Sequence, residues 1–421
     1  MQKRIHNWIQ ANQSKSIELL QKLVQIPSVQ GKEAQVQEIV AKKLSEIGCE
    51  VNVWELDGKQ LKSHPYFYSS RETFEGSPNV VGVLKGSGNG RSVVLNGHID
   101  VVPEGDPNQW TYEPYSGKVA DGKLYGRGST DMKGGNIALI IAMEAIRSLG
   151  IQLKGDIIFQ SVVEEESGGA GTLAAVLKGY TADAAIIPEP TNMKIFPKQQ
   201  GSKWFRVIVK GRTAHGGTRY HGVSAIDKSM QVIEHIKELE KIRNDRIDEP
   251  LYKSIPIPIP INIGRIEGGD WPSSVPDVVK IEGRIGIAPN ERIEDAQREL
   301  EDWLNKLPEK DEWFTDKPVE IEWFGARWVP GAIELDHPLM NSLTKYFKAV
   351  TGKDPEVEAA PWGTDGGLLT QVGNTPSVVF GPGITSLAHF PDEHIEVVKI
   401  LEAAEIIALT IIEWCGMEKE L

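Results

Sequence analysis

Imidazole and carboxylate side chains recur in this chain where apolar runs stop: His98, Asp131, Glu165 with Glu166, Glu189 and His389. His98 lies in Gly97-His98-Ile99-Asp100-Val101-Val102-Pro103, directly after Ser92-Val93-Val94-Leu95. Asp131 ends Gly126-Arg127-Gly128-Ser129-Thr130-Asp131 and opens an apolar, helix-like stretch. Glu164-Glu165-Glu166 follows Ile157-Ile158-Phe159-Gln160-Ser161-Val162-Val163, and Glu189 follows Ala184-Ala185-Ile186-Ile187. Open α/β sheets bind ligands at such strand ends. Histidine and carboxylate without thiolate form a zinc-type hydrolytic ligand set.

Each residue also has an ordinary reading. A lone histidine after a strand is usually structural, but Asp100 stands two residues beyond His98. A carboxylate there can accept the second ring N–H, as metal-bound histidines require. Local pattern alone makes Asp131 an N-cap for a helix over 134–149. Gly126, Gly128, Gly134 and Gly135 around it imply a tighter backbone than a cap needs, and a carboxylate so placed can bridge two metals. On an exposed helix, Glu164-Glu165-Glu166 would be a solvated face. Closing an apolar strand, the three repel unless cations or protons neutralise them. One can then ligate metal while its neighbour takes a proton from water. Glu189 alone carries little weight. His215, in Arg212-Thr213-Ala214-His215-Gly216-Gly217, reads equally as a loop histidine; His221 and His394 have no supporting context.

The elements that must position these groups alternate. Helices are expected over 16–25 and 33–47, the latter stopped by Gly48, and short strands over 51–54 and 80–84. Between them His64-Pro65-Tyr66-Phe67-Tyr68 has no clear period and reads first as a surface loop, with a substrate-facing loop as the alternative. Strand 92–95, helix 134–149, strand 156–163, helix 170–178 and strand 183–187 predict an α/β domain with a mainly parallel sheet and helices on both faces. From about Gln199 the order becomes strand 204–210, helix 223–240, strands 259–266 and 277–287, helix 293–306 and strand 318–324. That β-α-β-β-α-β order is ferredoxin-like, an α+β domain. Pro256, Pro258 and Pro260 put the start of one of its strands at an edge or outside the ladder. Alternation resumes with helix 338–350, strand 377–380 and helix 394–414. If His389 belongs with His98, the middle piece (199–327) is inserted into a domain formed by 1–198 and 328–421.

Composition fits this picture. A chain of 421 residues is long enough for two domains, and 40% hydrophobic with 25% charged content is that of a globular protein. The formal charge of -13 argues against nonspecific nucleic-acid binding. Cys49 and Cys415 are too few for a disulfide framework or a thiolate metal site. The first eight residues show neither an apolar core nor a small-residue cleavage site, and no apolar run approaches a membrane span. A cytoplasmic enzyme without nucleic-acid or membrane partners is expected.

The ordered set resembles the di-zinc amidohydrolase family of acetylornithine deacetylase, succinyl-diaminopimelate desuccinylase and glutamate carboxypeptidase. The likeness spans nearly the whole chain, and its motifs are specific jointly rather than singly. It implies two divalent metals, zinc with cobalt or manganese as alternatives. By position it implies His98 and Glu189 on one ion, Glu166 and His389 on the other, and Asp131 bridging. It further implies Glu165 as general base, Asp100 as the orienting partner of His98, and Arg284 as a substrate contact. The inserted domain becomes a lid that also dimerises, with His215 supplied to an active site, often across the dimer. Two departures stand out: Ser274 precedes Val275-Pro276 where Asn is common, and Gly363-Thr364-Asp365-Gly366-Gly367 lacks an arginine two residues beyond Asp365 that would hold a substrate carboxylate.

The expected reaction is hydrolysis of a small amide, an N-acyl or N-formyl amine. An acetylornithine-type deacylase comes first, a formylaminopyrimidine deformylase second, and a dipeptidase or carboxypeptidase third. Glu rather than Asp at 189 leans away from aminopeptidases, by analogy. A metal-binding protein without catalysis is the rival from another class. Glu165 counts against it, because a purely structural site needs no spare base.

Overall fold

The computed structural model describes residues 1–418 and divides into two compact units. The first comprises Met1–Lys198, Gly331–Ala359 and Thr364–Leu421; the second comprises Gln199–Pro330 with Ala360–Gly363.

A nine-stranded sheet forms the first unit's centre. Its strands run in the order Glu50–Glu55, Pro78–Leu84, Ile157–Val162, Val93–His98, Ala184–Ile187, Ser377–Val379, Ile195–Gln199 and Gly331–Ala332, with Val357–Ala360 pairing Ile195–Gln199 off that path. The four strands from Ile157–Val162 to Ser377–Val379 are mutually parallel, and antiparallel pairs flank them. The parallel strands are the continuous apolar runs of the sequence, as strands covered on both faces must be. Val93–His98 and Ile157–Val162 are buried at every position.

Helices Gln2–Val24, Gly134–Ser148, Pro338–Thr351 and Val397–Cys415 pack together, while Ala170–Leu177 and Gly366–Gln371 pack against one another and the strands. Gly134–Ser148 is apolar nearly all round, so it is buried nearly all round. Gly48, at φ 97°, ends helix Ala34–Ile47 as the sequence predicts. Among the boundaries that differ from expectation are the starts of the first and last helices. The first helix begins at Gln2 rather than near residue 16. The last begins at Val397, because His394–Glu396 is drawn into a small sheet against Lys123–Tyr125, itself paired with Lys118–Ala120.

The second unit holds a four-stranded antiparallel sheet in the order Ile261–Gly268, Val278–Ile287, Gly201–Lys210, Glu320–Trp328, with helices Ala225–Asp245 and Ile293–Leu304. Period-2 alternation buries Phe205, Val207, Val209, Val279 and Ile281 and turns Arg206 and Glu282 the other way. The edge strand begins at Ile261, just past the last of the three prolines. Proline has no N–H to give the ladder, and the edge is where that costs least.

Candidate metal centre

His98 is the last residue of its strand, and its side chain is buried. Asn136 Nδ2 donates to the His98 carbonyl at 2.7 Å. That approach requires glycine at 97, where a Cβ would fall 1.9 Å from Asn136 Oδ1. The His98 ring is oriented through Nδ1, which donates to the main-chain carbonyl of Asp100 at 2.8 Å. A carbonyl only accepts, so Nδ1 carries the proton and Nε2 keeps its lone pair for a cation.

This corrects the role expected of the Asp100 carboxylate, which lies 3.8 Å from the ring. It accepts instead from the Glu165 and Glu166 amides, at 3.4 and 3.2 Å. Two converging N–H groups satisfy a buried carboxylate, and the orienting work falls to the same residue's backbone.

Asp131 sits in a turn rather than on a cap. It has φ -126° and ψ 93°, the following peptide is cis, and helix Gly134–Ser148 has no side-chain cap. The buried Glu393 carboxylate holds the turn, accepting from Thr130 N at 2.9 Å and Asp131 N at 3.1 Å. Arg127 Nη1 donates to the same carboxylate at 2.7 Å, and its Nη2 donates to the His389 carbonyl at 3.4 Å. This buried pair therefore ties the Asp131 turn to the His389 loop. Sequence reasoning missed it. A charged residue between two turn glycines (Arg127) was the available signal; Glu393, between Asp392 and His394, gives none in the sequence.

The donor atoms converge on two sides of Asp131. On one, His98 Nε2 is 3.2 Å from Asp131 Oδ1 and 3.8 Å from Glu189 Oε1. On the other, His389 Nε2 is 3.3 Å from Asp131 Oδ2 and 3.1 Å from Glu166. Ligand atoms about 2.0–2.2 Å from a tetrahedral zinc lie roughly 3.3–3.6 Å apart. A Glu165 carboxylate oxygen lies within 4.8 Å of ligand atoms of His98 and Glu189. The set fits a pair of divalent cations sharing one carboxylate.

Electrostatics point the same way. Burial, then the charge of Glu189, pushes the Glu165 carboxyl well above its ordinary range. Burial also raises Glu189, against the opposing charge of His98. Burial opposes protonation of His98, yet Glu189, Asp131 and Asp100 together hold the imidazole well above its usual value. Hydrogen bonds to Asp131 and Glu166 raise His389 to about 10. Burial acts to raise Asp131, but hydrogen bonds from His389 and His98 hold it below the carboxylate range. So many mutually perturbing groups need positive charge among them, and a cation pair supplies it in place of protons.

Three further sequence candidates are Asp365, His215 and Arg284. Asp365 is buried in the first unit, with Oδ2 accepting from Thr172 at 2.7 Å and burial raising its carboxyl to about 6. Gly367, in helix Gly366–Gln371, offers no guanidinium where the resemblance commonly has one. His215 is an exposed residue of the second unit, its Nδ1 accepting from Gly217 N at 3.0 Å. Arg284, also in the second unit, lines a cavity of about 300 Å³ with Trp204, Asn262 and Phe324. Its Nε and Nη2 are buried without a partner among the described residues.

A parallel sheet ending in paired histidine-carboxylate sets, with a spare buried glutamate beside them, defines a metal-dependent hydrolase. The chain belongs to peptidase family M20/M25/M40, whose model matches residues 94–413. It is 32% identical to N-formyl-4-amino-5-aminomethyl-2-methylpyrimidine deformylase of Bacillus subtilis (strain 168), over 91% of this chain and 90% of that one. To acetylornithine deacetylase of Salmonella arizonae it is 27% identical, over 95% and 97%. Its fold matches the crystal structure of aminopeptidase PepT from Bacillus cereus with a TM-score of 0.73, at 22% identity and covering 96% and 99% of the two chains. The chain is thus an M20-family enzyme of metal-dependent amide hydrolysis.

Proposed function

We propose that this enzyme hydrolyses a small N-acyl or N-formyl amine at a two-metal centre. His98 and Glu189 would hold one ion, Glu166 and His389 the other, with Asp131 shared. The observation that carries this reading is the Asp131 carboxylate, whose two oxygens face two different histidines at 3.2 and 3.3 Å. Zinc is the proposed metal, with cobalt or manganese as alternatives of similar ligand preference. When bound, such a pair supplies Lewis acidity that brings the pKa of water toward neutrality.

The chain's own groups do the rest. Glu165 takes the proton of the attacking water and returns it to the leaving amine. Asp100 holds the backbone of Glu165 and Glu166 in place through its two accepted N–H bonds. His215 is proposed to stabilise the developing oxyanion from the lid, in a homodimer formed through that domain, and Arg284 to contact substrate. A cytoplasmic location goes with this reading.

Two observations favour a formylated amine over acetylornithine. Gly367 leaves the Asp365 turn without a partner for a substrate carboxylate. The deformylase relative is also the more similar of the two. Rates on formyl-, acetyl- and succinyl-amines, measured with metal content, test the proposal. Turnover of a formylamine with two ions per chain is expected; two ions with no turnover of any amide would leave a metal-binding protein without catalysis.

A further inference from the structure

The site absorbs two of the three consecutive glutamates, and the third has a different task. Glu164 is fully buried in a left-handed conformation, φ 68°. Its carboxylate accepts from Ser69 Oγ at 2.6 Å, Ser167 Oγ at 2.9 Å and Gln30 Nε2 at 3.0 Å, and is ion-paired to Arg71 Nε at 2.9 Å. Ser69 and Arg71 belong to the excursion between strands Glu50–Glu55 and Pro78–Leu84, the segment with no clear period. Arg71 Nη1 continues the tie to Ser77 Oγ at 2.9 Å, and Ser77 donates to the buried Glu33 at 2.6 Å.

Tyr68 of that excursion lies over the turn that follows the base. Tyr68 covers Gly168, where a Cβ would meet its ring at 3.2 Å and where φ is 131°. Tyr66 Oη lies 3.4 Å from Gln371 Oε1, at the end of the helix that Asp365 begins. The His64 and Tyr66 rings are 5.7 Å apart. Tyr66, Phe67 and Tyr68 are each half-buried, seated on the protein with part of each side chain open. A loop with no task needs neither a buried ionic anchor nor a glycine seat for a tyrosine ring.

We propose that His64–Tyr68 forms the wall of the substrate pocket on the Glu165 side. It selects amides whose amine carries a flat aromatic or heteroaromatic ring, with Glu164 as the positioning residue that registers the wall against the base turn. This rests on the amide-hydrolase reading. Ring-on-ring contacts prefer offset or edge-to-face geometry, and losing one is about a two- to twelvefold effect.

The test uses the full-length, zinc-loaded enzyme and pairs of amides sharing one acyl group, N-formylbenzylamine against N-formylbutylamine and their acetyl counterparts. Wild type is expected to prefer the aryl member by about tenfold or more in kcat/KM. Tyr66→Leu and Tyr68→Leu should each cut the aryl-over-alkyl ratio about three- to tenfold, chiefly through the KM of the aryl amide. Glu164→Gln should lower that ratio and also kcat, since Glu164 ties the base turn to Ser69 and Arg71, which directly follow the wall. Tyr66→Phe, which removes only a hydroxyl, should keep most of the ratio and so separates ring contact from loss of folding. A wild-type ratio near one, or a ratio unmoved by the leucine variants, overturns the inference. The ratio is read within whichever acyl group is cleaved, so an error over the acyl group leaves this test intact. If no amide is cleaved the function reading fails, and calorimetric titration of benzylamine decides the wall. Binding weakened by Tyr66→Leu supports it; no binding, or binding unchanged in the variant, overturns it.

Discussion

The two units differ in where most of their charged side chains gather. In the first, His98, Asp100, Arg127, Glu164, Glu165, Glu189 and Glu393 are all buried, and most are directed at one centre or at the loops that carry it. In the second, the polar face of the sheet carries Arg206 with Glu282 and Glu322, and Arg265 with Glu267 and Glu282, as pairs that largely face solvent. Solvent-screened pairs offset one another and perturb little. Sequestered charges of mostly one sign perturb each other strongly and need a cation. Ion-pair chemistry is present in both units, but only the first uses it to build a site.

The sharpest break in this contrast is expected at Glu165. Glu165→Gln keeps the shape and removes the proton acceptor, so kcat should fall about 10²–10⁴-fold. Metal content should stay at that of wild type by elemental analysis, since Glu165 is proposed to be no ligand. Retained activity would remove it as the base, and lost metal would make it a ligand.

Arg127 tests whether the buried pairs beneath the centre matter as much as the centre itself. Arg127→Ala leaves Glu393 buried without its cation, a change that costs about 3–5 kcal/mol in comparable pairs. Denaturant unfolding should show that loss, and dialysis should strip metal more readily, because the Asp131 turn and the His389 loop lose their shared tie. Arg127→Met with Glu393→Gln should recover part of the stability but not the metal retention. Recovery of both would make the pair a packing feature only.

Much of this was legible along the chain, for one physical reason. Parallel strands buried on both faces read as largely apolar runs, so the polar residues at or just beyond their ends mark the ligand-binding edge of the sheet. His98, the Glu164-Glu165-Glu166 run and Glu189 are marked out together in that way, while the separate roles of Glu165 and Glu166 came from the resemblance. Asp131 needed the glycines around it, and His389 needed the resemblance. What stayed hidden depends on contacts distant in sequence. Nothing local tells that Arg127 meets Glu393, or that Glu164 holds Ser69 and Arg71. Nor does spacing distinguish the Asp100 carbonyl from its carboxylate as the partner of His98. The three-residue strands at 118–120, 123–125 and 394–396 are too short for any period to emerge, and the last was absorbed into the predicted final helix.

The second unit allows the smallest and most discriminating test, because two arginines of adjacent strands there differ in company and in burial. Arg206 is about 30% exposed and pairs with Glu282 at 2.7 Å and Glu322 at 2.9 Å. Arg284 has two buried nitrogens, Nε and Nη2, with no partner among the described residues, and burial lowers its pKa from the guanidinium range. Arg206→Ala should change unfolding free energy by no more than about 1 kcal/mol and leave KM alone, as screened pairs do. Arg284→Ala removes an uncompensated buried charge, so stability should hold or rise slightly while KM climbs about tenfold or more. Two buried guanidinium nitrogens without a partner among the described residues are what the proposed substrate contact would satisfy. Equal effects from the two substitutions would place Arg284 among the surface charges and leave substrate binding to the first unit alone.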